Sequence, residues 1–298
     1  MKNRLFYISV FSVMMLCLAA SFSACGNKTS SAQADEQVAP DSKFANLDAV
    51  AEFMTQDLTD NSTPEMLEAN NKSLTDAITS YWTLNHKGED QSQMTEVVFN
   101  ELKAKADKLG EGSTVEMMES GSISSAMSRY LTAKEYCEKY KDNPLYQAEM
   151  GDWLKLEQKL NDFYGGVIQL ANWDGSIVKV LAAAKQAAVA ECRQQDYSQL
   201  HKDGKFAECG MSISAARTNL IEEMNDAKSL DEGADVSNPE EYKRVYNEMC
   251  QSADEIVKLM DQWLASRAKL CEAEGIPENH TAALIEQLSR LLMECIEG

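Results

Sequence analysis

"GDWLKLEQKLNDFYGGVIQL" (residues 151–170) sets the fold. Trp153, Leu156, Leu160, Phe163, Val167 and Leu170 follow one another at steps of 3, 4, 3, 4 and 3. That alternation places all six on one seam of an α-helix. Leu154, Tyr164 and Ile168 widen the seam into a stripe that must face a core. Gly165-Gly166 sits inside this pattern, and we read it as the close approach of a neighbouring helix.

A second segment downstream obeys the same rule over a longer distance. Tyr242, Tyr246, Met249, Ala253, Ile256, Met260, Trp263, Arg267 and Leu270 alternate steps of 4 and 3. Asn238 is placed to cap it, Pro239 to occupy the first turn, and Gly275-Ile276-Pro277 to end it. A continuous helix over 240–273 would span about 51 Å. Leu284, Leu288, Leu291 and Cys295 form a stripe on a last helix. Weaker helical patterns are read at 44–59, 64–85, 92–109, 122–141, 174–199 and 210–229. Breaks fall at "NHKGEDQ" (85–91), "GEGST" (110–114), "KDNP" (141–144), "HKDGK" (201–205) and "LDEGADVSNP" (230–239). The serine clusters "GSISS" (121–125) and "GMSIS" (210–214) read as helix starts. Neither strand alternation nor an internal repeat is visible. The expected fold class is all-α, one bundle of long antiparallel helices over 44–298, because no linker inside it exceeds about ten residues.

The N-terminus carries a different signal. Lys2 and Arg4 precede an apolar stretch from Leu5 to Ala20, and "FSAC" ends at Cys25. This is shorter than a comfortable membrane span. It resembles the bacterial lipoprotein signal, with Phe22 where leucine is usual. The resemblance implies cleavage after residue 24, a lipid on Cys25 that anchors the chain to a membrane, and a location in the cell envelope. Gly26 after the cysteine, where some inner-membrane lipoproteins carry aspartate, points to the outer membrane. Residues 25–43 read as a flexible, polar, lipidated tether.

Charge narrows the partners. Cleavage removes Lys2 and Arg4 from 28 basic residues and none of the 48 acids, leaving 26 against 48 and a net charge of −22. Nucleic acid is excluded as a partner, since phosphates need Lys and Arg. A basic protein is favoured by long-range attraction. Cys17 would leave with the signal, and Cys137, Cys192, Cys209, Cys250, Cys271 and Cys295 remain besides Cys25. In an oxidising compartment they suggest disulfides. Cys192 and Cys209 flank the turn near residue 203 with a mismatch of about 9 Å between ideal helical arms, which makes them the expected bridge. A simple hairpin around Pro277 leaves Cys271 and Cys295 about 18 Å out of step, so no bridge is expected there.

The chain carries no GxSxG, HExxH, phosphate-loop or EF-hand pattern and no CxxC pair. His86, His201 and His280 are scattered. No metal and no cofactor are expected. No acid sits in an apolar context that would raise its pKa, so the chain is read as a non-enzymatic binding module.

"QAEMGDWLKLEQKLNDFY" (147–164) holds Gln147, Glu149, Met150, Leu160, Asn161 and Tyr164, and "WLASRAKLC" (263–271) holds Trp263, Arg267 and Cys271. These resemble the LNxxY and WxxxRxxxC elements of the LprI-like family of exported helical domains, named for lysozyme inhibition. The resemblance spans about a third of the chain. Met260 replaces the family's glutamine, and no cysteine lies immediately before Leu160. By resemblance the partner is a basic lysozyme. The alternative is an accessory envelope lipoprotein packed on another envelope protein, and a carboxylate-dependent hydrolase ranks behind both. Read from the residues themselves, Arg267 lies on an apolar seam and needs a buried carboxylate or carbonyl partner, with Asn161 one polar group within reason. All six motif residues are therefore expected to be structural.

Overall fold

The computed structural model describes residues 39–58, 61–173, 175, 177–200, 210–229 and 236–297. The described residues form an all-α bundle. Its helices are α1 (Leu47–Glu52), α2 (Pro64–Asn85), α3 (Met94–Gly110), α4 (Thr114–Lys139), α5 (Pro144–Ala171), α6 (Val178–Gln199), α7 (Ile213–Lys228), α8 (Pro239–Glu274) and α9 (Glu278–Glu297). Short turns of other helix types fall at Ser42–Phe44, Phe53–Asp57 and Gln91–Gln93. No helix among the described residues is long and apolar enough to cross a membrane.

The local chemistry accounts for the boundaries. Asn143 caps α5 and Asn238 caps α8, each followed by proline in the first turn. Ser212 caps α7, so "GMSIS" starts a helix as expected. "GSISS" does not. The capping box of Ser113 and Glu116 starts α4 eight residues before the expected 122, and Gly121 to Ser125 lie inside the helix. The short polar run hid this start, because its residues are buried by tertiary contact rather than by apolar character. Gly275 ends α8 with φ +70°, the left-handed conformation that glycine adopts without strain.

Two clusters of buried apolar side chains fill the bundle. The first gathers Val50 and Met54 with residues of α2, α3 and the N-terminal half of α4, centred on Ile78, Val98, Phe99 and Ile123. The second gathers α5 to α9 around Trp153, Leu160, Phe163, Ile256, Trp263 and Leu288. Helix α4 serves both: Met127 and Tyr130 belong to the first cluster, Ala133 and Tyr136 to the second. The heaviest packing is α4 on α6, α5 on α8, and α7 on α9. Helix α9 thus packs chiefly on α7 rather than lying back along α8 as a hairpin. Cys271 and Cys295 are both free thiols, each buried. Gly166 meets Met249 of α8, where an added Cβ would stand 3.0 Å from the Met249 Cβ. Gly165 faces open space.

Candidate functional site

Helix α5 brings the LNxxY residues into the second core. Leu160 is fully buried, and the Tyr164 hydroxyl donates to the Leu288 carbonyl of α9 at 2.8 Å. Burial pushes the Tyr164 hydroxyl well above its usual pKa, so it stays protonated and acts as a donor. Trp263 and Arg267 face α5 from α8 and are equally buried. The Trp153 and Trp263 rings meet edge to face, with centroids 5.4 Å apart.

Arg267 has the buried carboxylate partner it was expected to need, and in fact has two. Its guanidinium donates to Glu149 Oε1 at 3.2 Å and to Asp196 Oδ1 at 2.6 Å. Arg193 of α6 completes the group. It donates to both oxygens of Glu149, at 3.0 and 2.6 Å, and to Asp196 Oδ2 at 2.9 Å. The Trp263 indole donates to Glu149 Oε1 at 2.8 Å. His280 of α9 approaches Asp196 Oδ1 at 3.1 Å, and the Arg267 Nε reaches the Thr281 hydroxyl at 3.4 Å. Two carboxylates therefore face two guanidiniums inside the buried core, and four helices are joined through them. Burial raises the Glu149 carboxyl, but the guanidiniums of Arg193 and Arg267 outweigh it and hold the group below its ordinary value. Burial opposes ionisation of Asp196 as well. Arg267, the His280 hydrogen bond and Arg193 together place it far below the usual carboxylate range.

Asn161 is not part of this group. Its side-chain oxygen is buried without a partner, and the residue lines a cleft beside the core face. Cys271 touches the Thr281 hydroxyl, with 3.8 Å between sulfur and oxygen. Cys209 and Cys25 lie outside the described residues, so the expected Cys192–Cys209 bridge and the lipidation of Cys25 fall outside them too.

Sequence reasoning assigned no role to Glu149, Arg193, Asp196 or His280. A signal for Glu149 existed: stepping back four residues from Trp153 along the seam lands on it. Glu191 corrects a second expectation. It is buried on α6, and burial raises its carboxyl to about 7 against the partial relief of a hydrogen bond from Gln195. No pattern of apolar side chains announces it, because alanines rather than large residues surround it in the chain. No group of three or more His, Cys, Asp or Glu among the described residues is arranged to hold a metal ion.

A polar groove lies where the two cores meet. One cavity of about 170 Å³ lies among α2, α4, α5 and α6, and is lined by Arg129, Trp153, Glu157 and Asn161. A second of about 290 Å³ lies among α2, α4 and α6 and shares Asn61, Leu67 and Arg129 with the first. A third of about 540 Å³ adjoins the first through Asn161 and Asp162 and runs past Gly165 and Gly166 to α8. At the floor of the first, Glu157 accepts from the Trp153 indole at 2.9 Å and from Arg129 Nε at 3.0 Å.

Compared with protein-family models, curated proteins and solved structures, the chain matches none of them.

Proposed function

We propose that this chain is a lipid-anchored envelope protein, held through Cys25 to the outer membrane, that binds a basic protein partner without catalysing a reaction. A cell-wall lysozyme is the partner that fits its chemistry. The observation that carries this reading is where the charge sits. Among the described residues the buried acids are Glu149, Glu157, Glu191 and Asp196, set against the buried bases Lys185, Arg193 and Arg267. The interior is close to neutral, so nearly all of the net charge of −22 left by cleavage after residue 24 is displayed outside. Such a surface attracts a cationic protein over a distance of about 8 Å at 0.15 M ionic strength. The resemblance of the LNxxY and WxxxRxxxC elements supports lysozyme in particular. Those elements hold the scaffold, and contact belongs to the exterior.

The test is a lysozyme lysis assay at physiological salt with the full chain in nonionic detergent and cytochrome c as a cationic competitor. Inhibition that survives excess cytochrome c supports the reading. Equal binding of both cationic proteins, without inhibition, overturns the lysozyme assignment and favours the accessory-protein alternative.

A further inference from the structure

We infer that the groove between the two core clusters binds a neutral glycan whose sugars carry hydroxyl and acetamide groups. Eight carboxamides line its three cavities, from Asn61, Asn70 and Asn71 at one end through Gln158, Asn161 and Gln186 to Gln169 and Gln251 at the other. Each carboxamide offers donors and acceptors together, which matches hydroxyl and acetamide groups and suits a fixed charge poorly.

Four residues on the walls of these cavities, one from each of four helices, carry a buried polar atom without a partner. The atoms are Asn71 Oδ1 of α2, Ser125 Oγ of α4, Asn161 Oδ1 of α5 and Arg193 Nε of α6. Ser125 and Arg193 are 6% and 2% exposed. Buried polar atoms of this kind cost stability unless something hydrogen-bonds to them. Four of them in the walls of one groove lie within a side-chain shift of a ligand that supplies the missing donors and acceptors.

Charge selects the class. In a chain of net charge −20, the first two cavities set Arg129 and Arg193 against Glu157 and Asp162. The third sets Lys159, Lys179 and Arg244 against Asp162 and Glu248. The groove therefore lacks the acidic excess of the exterior, and it does not suit the cationic partner proposed for that surface. Shape selects further. Neighbouring cavities that share wall residues fit a chain of repeating units. Apolar side chains such as Leu67 and Leu74 line the second cavity together with the amides, which suits a pyranose, apolar on its faces and polar on its rim. Gly165, which faces open space, keeps the far end clear.

The inference is independent of lysozyme binding. Its test is calorimetric titration of the full chain in nonionic detergent with chitotetraose, and separately with tetra-alanine. Saturable binding of chitotetraose, tighter than that of tetra-alanine, is expected. Asn161→Leu and Asn71→Leu remove unpartnered atoms, so both variants should melt at or above the parent temperature while affinity for chitotetraose falls at least ten-fold. The inference is overturned by an absence of saturable binding, which would leave water as the occupant. It is equally overturned by tighter binding of tetra-alanine, or by variants that melt normally and bind chitotetraose undiminished.

Discussion

Arg267 shows how far a single residue can be read. Its place on an apolar seam demanded a buried anionic or carbonyl partner, and Glu149 and Asp196 supply it. The identity of those partners was not legible, because they come from 118 and 71 residues away. Arg267→Ala leaves two buried carboxylates short of a cation, and should cost about 3–5 kcal/mol. Thermal melting should record that as a fall of about 10 °C. Glu191 behaves oppositely. Its carboxyl keeps a proton up to about pH 7 in the folded chain, against an ordinary 4.5. Stability therefore falls as pH rises from 4.5 to 7, and the penalty is complete above that. Glu191→Gln should stabilise the protein by up to about 3 kcal/mol at pH 8 and leave it unchanged at pH 4, as read by denaturant unfolding.

At the scale of elements, the helices with an apolar seam were legible and the one without was misplaced. The alternation of threes and fours located α5 and α8, and their caps fell on Asn143 and Asn238. Helix α4 buries Ser120, Ser125 and Ser128, and serines do not mark a core face in sequence. What brings them inside is the tight seat of Gly121 against the Ala183 backbone of α6, where an added Cβ would stand 3.0 Å from the carbonyl carbon. A backbone contact yields little. Gly121→Ala should destabilise by about 1–3 kcal/mol despite the better helix propensity of alanine. Gly165→Ala meets nothing within 4 Å and should stabilise by up to about 1 kcal/mol. Paired melting curves of the two variants check both signs. The groove itself was not legible, since it is assembled from five helices whose amides show no spacing pattern in the chain.

At the scale of the whole molecule, two opposed titrations set the pH response. Glu149 and Asp196 are held below their ordinary values of 4.5 and 3.8, so their stabilisation is present above those values and is lost as pH falls through the depressed ones. Glu191 acts in the window between 4.5 and about 7. Unfolding free energy should therefore be greatest near pH 5, and a denaturant series across pH 3–8 measures it. Falling pH also relieves the mutual repulsion of an acidic exterior. That exterior is the central claim: the motif residues serve the scaffold, and the surface charge recruits a basic partner. The most direct measurement is equilibrium binding of a cationic lysozyme to the full chain at 0.1 M and 1 M salt, between which electrostatic reach shrinks from about 10 Å to about 3 Å. The account predicts saturable binding at 0.1 M that weakens at least ten-fold at 1 M. Binding that is absent at 0.1 M, or that holds its affinity at 1 M, would contradict it.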